Sequence, residues 1–466
     1  EKGDKPLEIV STRQWYITNG GKDKELSQQL ISKGRELEFH PSFMRVRLED
    51  WINGLNGDWL ISRQRFFGVP IPVWYKLDSA GNPLFDERII PTLEQLPIDP
   101  SSDVPSGYTE DQRGKANGFV GEMDIMDTWA TSSLTPQLAG GWLSKPEQFA
   151  KVFPFDLRPQ GQDIIRTWLF STLLRSELEH GELPWKNAAI SGWILDPDRK
   201  KMSKSKGNVV VPNELLENHG SDAVRYWAAS ARLGTDAAFD EGQMKIGRRL
   251  ANKLLNAGRF ALSFELPNGV TEVTEPVDKA MLAALREVIE SATKAFDAYD
   301  HTKALETAET FFWTFTDDYL ELVKERAYGN SGQSAQEIGS AVIALREALA
   351  VLVRLFAPFI PFAAEEVWSW WQQGSVHLSP WPTVDEIEFQ DASIMKIAST
   401  ALVQIRKSKS DAKLSMKAEI KTATLTGAKE LELIAEDLKS VGKIADLKLL
   451  IGNEFALSDL EFAAEE

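Results

Sequence analysis

"PFDLRPQGQDIIRTWLFSTLLRSELEHG", residues 154–181, contains the signs of a strand, a sharp turn and a helix. Its first part predicts the end of a buried strand, and the apolar residues that follow recur at helical spacing until Gly181. "AAISGWIL" (188–195) predicts the next buried strand, because its apolar run does not alternate and a polar loop follows it. Strand, helix and strand form a βαβ unit, whose crossover is right-handed in nearly all cases. The sequence therefore predicts an α/β domain with a parallel sheet.

The loop behind the second predicted strand concentrates positive charge. Five of the eight side chains in 199–206 are basic, in a chain whose formal net charge is −17. Ligands of open α/β sheets bind beyond the carboxyl ends of the strands, where this loop begins. Mobile lysines can follow phosphate charge, and Gly207 permits a turn with positive φ. The alternative is a solvated basic loop without a ligand.

The order of residues in this loop favours a ligand. Lys201-Met202-Ser203-Lys204-Ser205 matches, without a substitution, the KMSKS signature of the class I aminoacyl-tRNA synthetases. This resemblance implies two catalytic lysines, Lys201 and Lys204, which stabilise the triphosphate of ATP as pyrophosphate leaves. The implied ATP-binding residues are Gly161, Asp163, Trp193, Ile194, Leu195, Lys201, Met202, Ser203, Lys204 and Ser205. One position departs from the family pattern, since Arg199 stands where the family often has Gly.

The turn Gly161-Gln162-Asp163 is similar to the G-x-D element of the same family. A glycine permits close approach of a ligand, and a carboxylate there can accept hydrogen bonds from ribose hydroxyls. The alternative is an ordinary cap at the start of a helix.

Two further blocks indicate the amino acid. "DWLISRQRFFGVPIPVWY" (58–75) resembles a block shared by the valyl, isoleucyl and leucyl enzymes, and "MDIMDTWATSSLTP" (123–136) has the valyl form D-T-W-x-x-S-S. "LRPQGQDIIRTW" (157–168) and "HLSPWP" (377–382) resemble the archaeal-like branch of the valyl enzymes. The resemblance runs from about residue 8 to 450. It implies ATP-dependent attachment of valine to tRNA(Val) through valyl-adenylate, with Trp74 and Trp129 as walls of the amino-acid pocket. The alternative for either tryptophan is ordinary core packing.

The rest of the chain changes character. From about 222 to 355 the periodicity is helical and predicts an antiparallel bundle, followed by a small α+β piece. We expect three domains: 1–220, the C-terminal half of a class I Rossmann-type catalytic domain; 221–385, an all-α anticodon-binding bundle; and 386–466, a small α+β subdomain with an acidic tail. The resemblance implies that the bundle binds the tRNA anticodon stem-loop. The basic stretch 406–421 is a candidate for phosphate contacts or a solvated surface.

Other family features are absent from the sequence. No histidine stands in an H-x-G-H pattern, and neither the editing insertion nor a basic coiled-coil arm is recognisable. We therefore expect the chain to be the C-terminal portion of a synthetase, inactive alone in forming valyl-adenylate. Two alternatives stay open: a portion of an isoleucyl or leucyl enzyme, and a non-catalytic tRNA-binding protein derived from a synthetase.

Composition limits the remaining possibilities. The chain has no cysteine and five scattered histidines, so we expect neither disulfides nor a protein-bound zinc, and Mg²⁺ only with the ATP substrate. No apolar run is long enough to span a membrane. A cytoplasmic monomer is expected. The acidic composition argues against indiscriminate binding of nucleic acids and leaves room for a local basic patch.

Overall fold

The structure, a computed structural model, describes residues 11–202, 207–330 and 332–463. Its internal contacts divide the chain into two compact units. The first contains residues 1–193 and 233–235, and the second contains 194–232 and 236–466. Each is described by itself.

The first unit combines short strands with helices. Its strands are β1 (Tyr16–Ile17), β2 (Glu38–His40), β3 (Trp59–Leu60), β4 (Ser62–Arg63), β5 (Trp74–Leu77), β6 (Pro83–Ile89), β7 (Phe119–Gly121), β8 (Ile125–Met126), β9 (Phe155–Gly161) and β10 (Trp185–Ser191). Its helices are α1 (Lys24–Glu36), α2 (Arg45–Asn53), α3 (Thr128–Ser132), α4 (Thr135–Gly140), α5 (Pro146–Val152) and α6 (Phe170–His180).

The predicted βαβ unit is present in this first unit. Strand β10 lies in the middle of a parallel sheet of order β2-β10-β9, and α6 connects β9 to β10. The helix ends at Gly181, which takes the left-handed φ of +68° that suits a glycine. Apolar side chains of α1, α2, α6 and β10 form the core beside the sheet.

The second predicted strand ends earlier than expected. Strand β10 stops at Ser191, and the last two residues of "AAISGWIL" form a separate short strand in the second unit. The reason is pairing: Ile194 and Leu195 bond to Ala237 and Ala238, and the parallel sheet continues only to Ser191.

The other strands of the first unit form small antiparallel sheets. Strand β5 lies between β6 and β7, and β4 pairs with β8. Strand β4 lies in the sequence block 58–75 and β8 in the block 123–136, the two blocks from which the amino-acid substrate is predicted. Their pairing brings these blocks together.

The second unit is mainly helical. Its strands are β11 (Ile194–Leu195), β12 (Ala237–Ala238), β13 (Ile420–Gly427), β14 (Ile444–Ile451) and β15 (Ala456–Phe462). Its helices are α7 (Pro212–His219), α8 (Ser221–Ala229), α9 (Glu241–Leu262), α10 (Pro276–Asp297), α11 (His301–Thr314), α12 (Leu320–Tyr328), α13 (Ala335–Phe356), α14 (Pro361–Ser369), α15 (Ser393–Asp411) and α16 (Ala435–Gly442).

One large core holds the bundle and the C-terminal piece together. It contains buried apolar side chains from α9 to α16 and from β13. Of the aromatic run at 311–319, Phe312 and Tyr319 are fully buried and Phe311 is nearly so, whereas Trp313 is half-buried. The burial of these three rings fits core packing better than base stacking.

The C-terminal piece has more strand than the sequence indicated. Strand β13 lies between β14, which runs parallel to it, and β15, which runs antiparallel. Strands β14 and β15 occupy the end of this subdomain, for which the sequence predicts an acidic tail. The observed succession of parallel α/β sheet, helical bundle and α+β piece agrees with the predicted fold class.

A buried polar network ties the C-terminal piece to the bundle. The Arg326 guanidinium donates to both oxygens of Asp278 at 2.8 Å and to Asp437 on α16 at 3.0 Å. Tyr319 and Ser340 donate to the same Asp278 carboxylate, at 2.8 and 2.6 Å. Burial alone would lower the pKa of Arg326, but the two carboxylates raise it well above its ordinary value.

Within the part of the chain that the structure describes, no helix is both long and apolar enough to cross a membrane.

Candidate nucleotide-binding site

Gly161 and Asp163 form a tight turn at the carboxyl end of β9. Gly161 lies opposite Ser191, the last residue of β10, in the parallel register. A Cβ atom at position 161 would lie 2.6 Å from Oδ1 of Asp163, so a larger residue there would require this carboxylate to turn away from its observed position. The Asp163 side chain is exposed. A carboxylate at this edge of the sheet can accept hydrogen bonds from the hydroxyls of a bound sugar.

The helix behind this turn begins irregularly. Residues Gln162–Ile164 form a 3₁₀ turn and Ile165–Leu169 a π-helical turn before α6 starts at Phe170. Such π-helical turns are rare and are often found at functional sites.

Arg158, three residues before the turn, is a half-buried cation without a carboxylate partner among the described residues. Its guanidinium lies against the ring of Trp168, with the ring centre of Trp185 at 5.6 Å. Among the described residues, its buried Nε and Nη2 atoms have no hydrogen-bond partner. Burial lowers the pKa of Arg158 to about 10. The sequence analysis did not single out this residue, although it quoted the segment that contains it.

Trp129 lies on the short helix α3, next to the helix that follows the turn. Asp127 caps α3 through the Trp129 N–H at 3.2 Å and forms an ion pair with Arg63 at 2.8 Å. The Trp168 indole donates to the Ser132 carbonyl at 3.1 Å, which ties α3 to the π-helical turn. Trp129 is half-buried, so part of its ring is open to a ligand.

Trp74, the other tryptophan predicted in the pocket, is 1% exposed in the middle of the β6-β5-β7 sheet. Its indole N–H donates to the carbonyl of Asp103 at 3.1 Å. This environment favours the core alternative for Trp74.

The start of the lysine loop is held by a set of hydrogen bonds that we call the Asp196 clasp. Leu195 and Lys201 form an antiparallel bridge, and the backbones of Asp196 and Lys200 bond at 2.9 Å. The carboxylate of Asp196, which is 7% exposed, accepts from the Lys200 N–H at 2.7 Å and from Nδ2 of Asn208 at 2.8 Å. The Asn208 amide also donates to the Lys201 carbonyl at 3.2 Å. The clasp therefore fixes the backbone of Lys201.

Two properties of the clasp follow from its geometry. The hydrogen bonds from Asn208 and Lys200 lower the pKa of Asp196, so the group is ionised at neutral pH. Arg199, the departure from the family pattern, has a left-handed φ of +61° in the turn that the clasp closes. The family glycine would adopt this conformation without strain.

The remaining predicted residues are placed as follows. Lys201 and Ile194 are exposed, and Met202, Trp193 and Leu195 are half-buried. Ser203, Lys204 and Ser205 lie outside the described residues. Within the described ranges, no group of three His, Cys, Asp or Glu residues is arranged to hold a metal ion.

Sequence reasoning missed Asp196 and Asn208. A signal was present, because D-P-D-R is a typical turn sequence and Asn208 directly follows Gly207. It did not show that both side chains converge on one loop.

Two family sequence models match this chain. Residues 5–240 match the sequence model of the tRNA synthetases class I (I, L, M and V). Residues 278–424 match that of the anticodon-binding domain of tRNA ligase.

Similar curated proteins carry the name valine--tRNA ligase. That of Thermobifida fusca is 61% identical over all of this chain, and that of Leifsonia xyli is 62% identical over 99% of it. The chain spans about half the length of these relatives, 54% in both cases.

Two solved structures share the fold. A LeuRS of Agrobacterium radiobacter K84, in a ternary complex with tRNA and LeuAMS, covers 85% of this chain with a TM-score of 0.53 and 19% identity; 52% of its own chain is covered. A methionyl-tRNA synthetase of Mycobacterium tuberculosis with bound methionyl-adenylate covers 74% of this chain with a TM-score of 0.54 and 21% identity; 60% of its own chain is covered. Because the first family model matches more than half of the sequence, the chain belongs to the class I tRNA synthetases of the I, L, M and V group.

Proposed function

We propose that the protein to which this chain belongs attaches valine to tRNA(Val) at the expense of ATP. The observation that carries the proposal is the 61–62% identity with valine--tRNA ligases along essentially the whole chain, together with an unaltered KMSKS sequence at 201–205. In the first step the valine carboxylate attacks the α-phosphorus of ATP, which yields valyl-adenylate and releases pyrophosphate. In the second step a ribose hydroxyl at the tRNA 3′ end attacks the activated carbonyl and releases AMP.

Within this proposal the residues at the strand ends have separate roles. Asp163 accepts hydrogen bonds from the ribose hydroxyls of ATP, and the missing side chain at Gly161 gives the sugar access. Backbone groups of Trp193, Ile194 and Leu195 hold the adenine. Lys201 and Lys204 stabilise the negative charge that develops on the departing pyrophosphate. Met202, Ser203 and Ser205 complete the proposed set of ATP-binding residues.

The amino-acid pocket is assigned to the surroundings of Trp129. Valine offers only a branched apolar side chain, so a pocket must select it by shape. The half-buried ring of Trp129, held by the Asp127 cap, provides a fixed apolar wall. Trp74 remains the weaker candidate, because its ring is enclosed by the β5 sheet.

The tRNA partner is assigned to the helical part. We propose the domains 1–220, 221–385 and 386–466, in which the second binds the anticodon stem-loop. The match of 278–424 to an anticodon-binding domain supports this assignment. We further propose that Mg²⁺ enters with the ATP phosphates, and that the protein is a cytoplasmic monomer of an archaeal-like branch of the valyl enzymes. The blocks 157–168 and 377–382 support that branch.

Valine-dependent ATP–pyrophosphate exchange tests the proposal. We would assay this chain and the full product of the gene that encodes it. Because the 466 residues contain no H-x-G-H motif, exchange is expected only from the full product and only with valine. Exchange with isoleucine or leucine instead would contradict the valine assignment. Retained tRNA binding without any exchange would favour a non-catalytic tRNA-binding protein.

A further inference from the structure

A groove between the bundle and the C-terminal piece brings together positive charges that are far apart in sequence. It has a volume of about 700 Å³, and six cationic side chains line it. These define what we call the cationic groove: Lys253 of α9, Lys324 of α12, Arg406 and Lys409 of α15, Lys417 of the following loop and Lys443 behind α16. All six belong to the second unit.

The carboxylates of the groove do not neutralise these charges. Asp317 pairs with Lys253 at 2.9 Å and Glu321 with Lys324 at 2.5 Å, while Glu325 also lines the wall. Asp318, just outside the lining, pairs with Arg406 at 2.6 Å. Six cations against four carboxylates leave an excess of two positive charges, in a chain whose formal net charge is −17.

The excess lies at one end of the groove. The exposed side chains of Lys417 and Lys443 have no carboxylate within 4 Å among the described residues. Lys409, which is 1% exposed, donates to the carbonyls of Met416 and Gly442 at 3.0 and 2.7 Å. Its ammonium group is thus held by two backbone carbonyls and has no carboxylate partner among the described residues.

The charged form of Lys409 is destabilised at this position. Burial lowers the pKa of Lys409, and the neighbouring charge of Lys443 lowers it further. Two lysines that repel each other, with no counter-ion, form a site that an anion would stabilise. The groove is therefore built for a negatively charged ligand.

The helix that leads into the groove extends the positive surface. Lys245, Arg249 and Lys253 follow one another at intervals of four residues on α9, and so lie along one edge of the helix. The half-buried ring of Trp313 lies beside this edge, with the Arg249 guanidinium at 5.5 Å and the Lys253 ammonium at 5.8 Å from its centre. A row of cations beside an aromatic ring is suited to bind a nucleic-acid strand, because the cations can pair with its phosphates and its bases can stack on the ring. An acidic peptide would use the cations alone.

We propose that the cationic groove binds the sugar-phosphate backbone of the tRNA, and that the C-terminal α+β piece thereby supplies part of the RNA site. The inference rests on the proposed function, since tRNA is its expected partner. Lys324, Arg406, Lys409 and Lys417 lie inside the segment matched to an anticodon-binding domain, whereas Lys253 and Lys443 lie outside it. The proposed RNA surface thus includes residues that precede this segment in the sequence and residues that follow it.

The test compares two double variants of this chain. Lys417→Gln with Lys443→Gln removes the two cations that have no carboxylate partner. Lys429→Gln with Lys448→Gln is the matched control, because both of these lysines are exposed residues of the C-terminal piece outside the groove. Binding of a labelled tRNA(Val) transcript is measured by fluorescence anisotropy between about 50 and 200 mM salt.

The groove variant is expected to raise the Kd for tRNA about tenfold and to reduce the slope of log K against log salt by about 1.5. The control is expected to change neither. Equal affinity and equal slope in the two variants would overturn the proposal. So would a variant that loses binding of polyglutamate but keeps that of tRNA, since the groove would then serve an acidic peptide.

A failure of the proposed function gives a different result. If the unaltered chain binds no tRNA, both the groove and the tRNA partnership are contradicted. If it binds tRNA and the groove variant binds equally well, only the groove is contradicted.

Discussion

Arg158 in the first unit is half-buried and Arg326 in the second is buried, and the surroundings of these two arginines differ in kind. Arg326 is bound by the carboxylates of Asp278 and Asp437, which raise its pKa. Arg158 lies between two tryptophan rings, and burial lowers its pKa to about 10. The charge of Arg326 is thus compensated by carboxylates, whereas Arg158 has no carboxylate partner among the described residues.

The two units also differ in how many of their buried side-chain polar atoms have no hydrogen-bond partner. Among the described residues, ten buried side-chain polar atoms of the first unit have no hydrogen-bond partner, against three of the second. Uncompensated groups reduce stability, so a region that keeps them is not optimised for stability alone. Two of the residues concerned, Arg158 and Gln160, belong to β9, the strand that ends at the Gly161 turn.

The largest effect is expected from Arg326→Met. This change leaves the Asp278 and Asp437 carboxylates buried without a cation, and breaking such a network costs about 3–5 kcal/mol. Urea denaturation of the chain measures the free energy of unfolding.

Arg326→Met combined with Asp278→Asn is the control. Neutralising the stranded carboxylate should recover part of the loss, because the buried charge is then removed. A loss below about 1 kcal/mol for the single variant would show that the network is not the main link between bundle and C-terminal piece.

The next largest effect is expected from Asp196→Asn, measured in the full gene product. The asparagine can still accept from the Lys200 N–H but places an amide against the Asn208 amide, so the clasp opens. A misplaced Lys201 should lower the kcat of valine-dependent exchange about 10- to 100-fold, with a smaller effect on the free energy of unfolding.

Asp196→Asn with Asn208→Asp is a partial rescue, since it restores the hydrogen bond between the two side chains with the roles exchanged but loses the donation to the Lys201 carbonyl. It should recover part of the lost kcat. The pH dependence provides a second check. Because the folded pKa of Asp196 is lowered, the contribution of its carboxylate is complete above about pH 4, the unfolded value, and is lost as the pH falls through the folded pKa. An Asp196→Asn variant with unaltered kcat would refute the positioning role.

Arg158→Met is expected to have a small effect on the free energy of unfolding, in the stabilising direction. Methionine fills the space between Trp168 and Trp185 without a buried charge, so the free energy of unfolding should stay within about 1 kcal/mol or increase. A loss comparable to that of Arg326→Met would remove the contrast between the two units. The measurement is the same urea titration.

The smallest effect is expected from Arg199→Gly. It relieves a left-handed conformation that costs a non-glycine residue about 1 kcal/mol, although glycine also gains freedom in the unfolded chain. The free energy of unfolding, measured by thermal denaturation, should therefore change by no more than about 1 kcal/mol. A clear destabilisation would indicate that the Arg199 side chain, not its backbone, matters in the turn.

The sequence was most informative where a periodic pattern coincided with a motif. The 154–181 segment predicted β9, the helix behind it and the end at Gly181, because apolar spacing and a helix-ending glycine agreed. It did not predict the π-helical turns at Ile165–Leu169 and Phe315–Tyr319, which keep nearly the same apolar spacing as an α-helix.

Contacts between distant residues were beyond the sequence. Strands β14 and β15 pair with β13 from either side, and this pairing is not encoded in the local pattern of either strand. The Asp196 clasp and the cationic groove each depend on side chains that converge only after folding. Lys443, for instance, reaches the groove from a position 190 residues after Lys253.

The turn at Gly161 has a consequence for the evolution of the family. Since a Cβ atom there would lie 2.6 Å from the Asp163 carboxylate, a side chain at position 161 would restrict the positions that this carboxylate can take. Replacing the glycine would therefore weaken the selection that keeps an aspartate at 163, and losing the aspartate would relax the need for the glycine. We therefore expect the two residues to be inherited as a pair.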